Sequence, residues 1–176
     1  MTSIAFELVA EASVEASRAL AMTRELGAGT TSMIAGQVLD TVGGFPQELS
    51  DEHRLAIVHR NKTGALIRAA CRIGAHCGGA DAEQLAALSD YGDAVGLMFQ
   101  VVDDILDVTQ CAEHLGKATR KDDEAGKLTY PGVFGLEESR ETVKRLNDEA
   151  MTALEPFDEQ ADLLRQLARD MAVRTR

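Results

Sequence analysis

The sequence predicts an all-α fold. No stretch shows the alternation and β-branched bias of a strand. The chain has 176 residues with only 3 prolines and no tryptophan, and it is rich in alanine, leucine, glutamate, aspartate and arginine. That composition favours helices. Apolar residues also recur at helical spacing between glycine, proline and capping signals.

The elements follow from these signals in order. Residues from Ser3 to Leu26 contain no proline or glycine, so a helix is expected to run to the Gly27-Ala28-Gly29 stop. Ile4, Phe6, Leu8 and Val9 reach full helical density directly after Met1, which reads as a cut inside a helix or a start codon placed late. Thr30 or Thr31 can cap a second helix that ends at Gly43-Gly44, and Pro46 marks a loop. Ser50-Asp51-Glu52 opens a long helix, with acidic residues in the favoured first turn, that runs to Gly78-Gly79. Asp81 and Gln84 form a capping box for the next long helix, which fades near Gln110. Residues 111–131 read as a charged, glycine-containing loop ending in Tyr130-Pro131. Two further helices are expected over about 137–154 and 158–173, separated around Pro156.

Apolar residues make up 45% of the chain, enough for one domain with a real core. The net charge of −11 argues against nucleic acid as a partner, since such a protein needs a basic face. Cys71, Cys77 and Cys111 have no metal-ligand spacing, and their odd number suggests reduced thiols and a cytoplasmic location. No apolar run is long enough to span a bilayer, and no signal-peptide pattern is present.

The most informative segment is Phe99-Gln100-Val101-Val102-Asp103-Asp104-Ile105-Leu106-Asp107. Three carboxylates sit within an apolar run from Val95 to Val108, with no lysine or arginine downstream before Lys117. Gln100, Asp103, Asp104 and Asp107 follow the i, i+3, i+4, i+7 rule and are expected to share one helix face. Unpartnered carboxylates that converge repel each other and resist burial. A divalent cation relieves both costs, and hard oxygen ligands of this kind suit Mg²⁺. The alternative is a solvated acidic face, against which the flanking apolar residues argue.

Lys62 falls on an apolar stripe formed by Leu55, Val58, Leu66, Ala69 and Ile73. It either snorkels to the surface or meets an anion inside. Thr63 adds a hydroxyl beside it, and Gly64 lets a ligand approach the backbone. Gly116-Lys117 and Gly126-Lys127 can present ammonium groups to a phosphate-rich ligand, although taken alone the loop reads first as solvated surface. Gln37 and Asp40, three apart, are expected to face the same way. His53, His59, His76 and His114 lack a common face with the aspartates and read as structural or surface residues. Together these groups suit a diphosphate with a hydrophobic tail. Cation and lysine would stabilise the leaving diphosphate, and a dry helical cavity would shield a carbocation.

The ordered motifs Gly36-Gln37-x-x-Asp40, Lys62-Thr63-Gly64-Ala65-Leu66, Phe99 to Asp107, Leu115-Gly116-Lys117 and Gly126-Lys127-x-Thr129-Tyr130-Pro131 resemble trans-isoprenyl diphosphate synthases. The resemblance is to the bacterial farnesyl diphosphate synthase (geranyltranstransferase) branch, beside the geranylgeranyl diphosphate synthases. It implies an isoprenoid synthase helical bundle and head-to-tail condensation of isopentenyl diphosphate with an allylic diphosphate. It implies that Asp103, Asp104 and Asp107 are the second Asp-rich motif, in a site holding two or three Mg²⁺ ions. Lys62, Thr63, Gln100 and Lys117 would be catalytic and substrate-binding residues, and Lys127 a further substrate-binding residue. Asp122 would support the metal-site loop, and Arg174-x-Arg176 resembles a basic tail that helps close the site in some members.

The family's earlier Asp-rich motif and its Gly-Lys-x-x-Arg stretch are missing here. Residues 1–176 therefore read as the C-terminal portion of one polyprenyl synthetase domain, expected to be inactive in isolation. A homodimer is implied. The alternatives are a non-catalytic partner subunit of a heteromeric synthase and, more remotely, a class I terpene cyclase, which should lack the Lys-Thr-Gly and Gly-Lys-x-Thr-Tyr-Pro elements.

Overall fold

The computed structural model describes residues 2–115 and 128–174. The described residues form helices with no strand among them, as expected. The elements are α1 (Thr2–Glu11), α2 (Ala16–Val42), α3 (Asp51–His59), a wide π turn (Arg60–Gly64), α4 (Ala65–Gly78), α5 (Ala82–Leu115), α6 (Tyr130–Phe134), α7 (Leu136–Ala153) and α8 (Asp162–Ala172).

The local signals placed most boundaries correctly. The Ser50 hydroxyl accepts from the His53 amide at the start of α3. Gly79 closes α4 in the left-handed conformation with φ 75°, where a side chain would be strained. Asp81 and Gln84 make the reciprocal capping box, with bonds of 2.9 and 3.1 Å. Thr129 caps the short α6, which begins within the stretch expected to be loop.

Two expectations need correction. Gly27-Ala28-Gly29 does not stop a helix: α2 runs through it, and the break lies instead at residues 12–15. The reason is close approach between helices. A Cβ on Gly29 would lie 2.7 Å from the Ala69 Cβ and 3.1 Å from the Ala65 carbonyl oxygen. Gly29 is thus a contact point of α2 with α4, and no cap geometry is required there. The second correction concerns the stretch from Ser50 to Gly79, which is one helical rod but not a regular one. The π turn at its centre inserts an extra residue per turn, a distortion frequent at functional sites.

The rod α3–π–α4 lies between α2 and α5. Gly29 meets Ala69 while Gly36 meets Lys62, so α2 and α4 are antiparallel. Gly92 meets Arg68 while Gly96 meets Gly64, so α5 is antiparallel to the rod as well. Glycines at these contacts let backbones come closer than larger residues allow. Arg72 joins all three layers: it donates to Glu25 of α2 at 2.8 Å and to Ser89 of α5 at 2.5 Å. Its hydrogen bond holds the Glu25 carboxyl below its usual range, and the glutamate in turn raises the guanidinium.

The opposite face of α5 carries the main core. Met98 and Val101 are fully buried with Val102 close behind, against Leu146, Ala150 and Leu154 of the α7 region and Ala168 of α8. Full burial of each large apolar side chain is worth about 1.5–3 kcal/mol. A smaller cluster of Val9, Met22 and Leu26 holds α1 to α2. The Asp-rich segment therefore lies along a core helix, as its apolar flanks predicted.

Tyr91, at 1% exposure, donates its hydroxyl to the Leu164 carbonyl at 2.8 Å and ties α5 to α8. Burial pushes its phenol up from 10.0 to about 12. A group whose proton is held more tightly in the folded state contributes fully below its unfolded value and loses that contribution as pH rises through the folded one. Stability is expected to fall between about pH 10 and 12, and the slope of urea midpoints against pH should be shallower in Tyr91→Phe than in the parent chain.

Candidate active site

A cavity of about 800 Å³ opens where α2, α3, the π turn and α5 meet. Its walls include Asp40, His59, Lys62, Thr63, Phe99, Gln100, Asp103 and Asp104. The π turn contributes Lys62 and Thr63 side by side. The Lys62 ammonium donates to Asp40 Oδ2 of α2 at 2.6 Å, and the Thr63 hydroxyl donates to Gln100 Oε1 of α5 at 2.7 Å. Each side of the rod thus clasps one of the two helices flanking it. The Lys62 side chain keeps 29% exposure and that of Asp40 19%, so the pair sits at the cavity wall and not in sealed core. Lys62 does meet an anion, and here that anion is Asp40.

Of the four polar residues of α5, Gln100, Asp103 and Asp104 line the cavity together, and Asp107 does not. Gln100 and Asp104 are buried at 8% and 4% exposure. Asp104 Oδ2 accepts the Tyr130 amide at 2.7 Å and lies 3.3 Å from His59 Nε2. Asp103 is half open, and Asp107 is exposed. Arg174 Nη2 donates to Asp103 Oδ1 at 3.0 Å, and its guanidinium lies over the Phe99 ring, 4.9 Å from the centroid. Among the described residues no three His, Cys, Asp or Glu side chains come together as a protein-only metal site.

Other expectations sort as follows. Gln37 is exposed and donates to Thr41, which lines the cavity beside Asp40, but is not itself among the lining residues. His59 does reach the Asp-rich segment, contrary to the sequence reading, because α3 meets α5 in space. Lys117, Asp122, Lys127 and Arg176 lie outside the described residues.

Residues 1–170 match the family model described as polyprenyl synthetase. The chain belongs to the polyprenyl synthetase family. It is 43% identical over 150 residues to geranylgeranyl pyrophosphate synthase 6, mitochondrial, of Arabidopsis thaliana, covering 82% of this chain and 45% of that protein. It is 42% identical over 161 residues to the heterodimeric geranylgeranyl pyrophosphate synthase large subunit 2 of the same plant, covering 89% of this chain and 43% of that protein. The chain thus spans less than half the length of the curated relatives it matches.

Among solved structures it is similar to an FPP/GFPP synthase from Zymomonas mobilis, with a TM-score of 0.79 and 28% identity, covering 96% of this chain and 57% of that one. It is also similar to a geranyltransferase from Helicobacter pylori complexed with magnesium and isoprenyl diphosphate, with a TM-score of 0.69 and 31% identity, covering 94% of this chain and 55% of that one. These likenesses identify the bundle as the isoprenoid synthase type.

Within this polyprenyl synthetase chain, sequence reasoning missed His59, Phe99 and Arg54 as cavity residues. His59 carried a usable signal. It lies three residues before Lys62 on one rod, so any ligand or helix touching Lys62 is within reach of it. No residue of the chain alone signals the cation–π contact of Arg174 with Phe99, which depends on the fold. The aspartates suit a hard divalent cation: Asp103 already receives a positive charge, the Arg174 guanidinium, and Asp107 is open. Magnesium is commonly held by one or two carboxylates plus substrate phosphates, and two open carboxylates meet that requirement.

Proposed function

We propose that this chain is the diphosphate-binding portion of a trans-prenyl diphosphate synthase. The parent activity would be condensation of isopentenyl diphosphate with an allylic diphosphate to give farnesyl or geranylgeranyl diphosphate. The observation that carries the proposal is one cavity lined by Lys62 of the π turn, Gln100 and Asp103 of α5 and the apolar Leu39, Leu55, Val58 and Phe99. Family membership agrees with it, as do the names of the relatives.

Asp103 and Asp107 are the carboxylates open to Mg²⁺ in this reading, and the bound cation would neutralise charge on the leaving diphosphate. Lys62 binds the diphosphate, turning from Asp40 toward the stronger anion. Thr63 and Gln100 hold one another in place, so their oxygens present a fixed rim to the substrate. Leu39, Leu55, Val58 and Phe99 keep water from the reacting carbon. Lys117 and Lys127 are proposed as further diphosphate ligands on sequence grounds. We place the chain in the C-terminal portion of one synthase domain, in a homodimeric, cytoplasmic enzyme. No helix among the described residues is long and apolar enough to cross a membrane.

The test is a pair of measurements on the purified chain. Isothermal titration with inorganic diphosphate and Mg²⁺ should show magnesium-dependent binding that Asp103→Asn weakens by about 10-fold or more. Incubation with labelled isopentenyl diphosphate, geranyl diphosphate and Mg²⁺ should give no product, and a version extended by the family's first Asp-rich motif should give one. Absence of diphosphate binding refutes the site. Product from the chain alone refutes the incomplete-site reading, and an inactive extended version favours the partner-subunit alternative.

A further inference from the structure

Three carboxylates of one motif occupy three different environments, and the difference assigns them different work. We propose that Asp104, although it lies on the cavity wall, is a positioning residue that fixes α3 and α6 to α5, and that its neighbour Asp103 is the carboxylate that meets the cation. The inference rests on the synthase-site reading and divides the labour within it.

The observations are geometric. Asp104 is 4% exposed, whereas the Asp103 side chain is 48% exposed. The oxygen Oδ2 has two partners from two other elements: the Tyr130 amide of α6 at 2.7 Å and His59 Nε2 of α3 at 3.3 Å. The second ring nitrogen of His59, Nδ1, is buried without a partner among the described residues. Nε2, facing Asp104, is thus the imidazole's one polar contact here. The rings continue the junction: Tyr130 lies nearly parallel to His59 at 6.3 Å and tilts against Phe134 at 4.6 Å.

A buried carboxylate that accepts a backbone amide and lies against an imidazole gains most from keeping that arrangement. Turning Oδ2 outward to a cation would strand the amide of Tyr130 and the ring of His59 together. Asp103, one residue earlier and 48% exposed, gives up a single guanidinium contact. The Tyr130 amide is also the first of α6, so Asp104 sets where α6 begins beside the cavity. Its position, not its charge, is what the site uses.

The experiment compares Asp104→Asn, Asp104→Ala, Asp103→Asn and His59→Phe in the full chain, by thermal unfolding and by titration of inorganic diphosphate with Mg²⁺. Asn keeps an acceptor for the Tyr130 amide and lacks the charge. Asp104→Ala should lower Tm by about 5 °C and weaken diphosphate binding about 10-fold, and Asp104→Asn should restore both to within about 2 °C and 3-fold. His59→Phe should lower Tm by a smaller amount than Asp104→Ala. Asp103→Asn should leave Tm unchanged and weaken binding. An Asp104→Asn protein with parental Tm that binds as poorly as Asp103→Asn overturns the proposal, as does an Asp104→Ala protein with parental Tm. If the parent chain binds no diphosphate, the synthase-site reading fails by itself, and the two Asp104 Tm values still decide the junction.

Discussion

Gly36→Ala is expected to destabilise the chain by about 2 kcal/mol or more and to disturb the site at the same time. A Cβ at this position would overlap the Lys62 backbone, with the Lys62 Cα at 2.7 Å and the Asn61 carbonyl carbon at 2.8 Å. Backbone atoms cannot swing aside as a flexible side chain does, so α2 and the π turn must separate. Overpacking of this kind costs about 1–3 kcal/mol, and a clash with backbone belongs at or above the upper end. Alanine returns about 1 kcal/mol through its better helix propensity, which leaves the net loss. For a chain of this size the Tm should drop by about 4–8 °C.

Gly27→Ala, in the same helix, is the control. Nothing lies within 4 Å of its would-be Cβ. The propensity term then acts alone and should raise stability by about 0.5–1 kcal/mol. Opposite signs from one substitution type in one helix would establish that close approach, and not glycine's flexibility, is what Gly36 provides. Equal effects at the two positions would refute this account.

Lys62→Ala carries the second large effect, on binding. A charge-assisted hydrogen bond to phosphate is worth about 1.5–3 kcal/mol, so diphosphate affinity should fall about 10- to 100-fold. Asp40, left without its partner, adds repulsion to the loss. Stability should change little, because a partly exposed ion pair contributes about 1 kcal/mol at most. Asp40→Asn should keep diphosphate affinity within about 3-fold, and combining it with Lys62→Ala should recover part of the single-mutant loss. Titration calorimetry and thermal unfolding on the four proteins give the full cycle. A Lys62→Ala protein with unchanged affinity and a sharply lower Tm would make Lys62 a structural residue.

What the sequence made legible was local. The Asp81–Gln84 box, the Ser50 cap and the Gly79 terminus each depend on residues within one turn, and each lies where their chemistry requires. The apolar flanks of the Asp-rich segment read correctly as core because burial follows composition. The errors share one cause: a partner distant in the chain. Gly29 looks like a helix stop until Ala69, from another helix, arrives against it. Asp104 lines the cavity with Asp103 as its spacing suggests, but the Tyr130 amide, 26 residues on, gives it a bond that spacing does not reveal. His59 was set aside because it shares no helix face with the aspartates, yet two different helices bring it to Asp104. Periodicity describes a helix in isolation, and these residues answer to its neighbours.

The π turn also limits how this gene can change. Its extra residue rotates everything after it by about 100° relative to a regular helix. Removing one residue between Arg60 and Gly64 would leave a straight rod that fits the same length of bundle and raises no alarm in composition or propensity. Either Lys62 and Thr63 or the whole α4 contact surface would then point a quarter-turn away from where Asp40, Gln100 and Gly96 await them. Substitutions in this stretch act on one side chain at a time, whereas a single in-frame codon loss misaligns the rod against both neighbours at once. The length of this stretch, as well as the identity of its residues, keeps the rod in register with both neighbours.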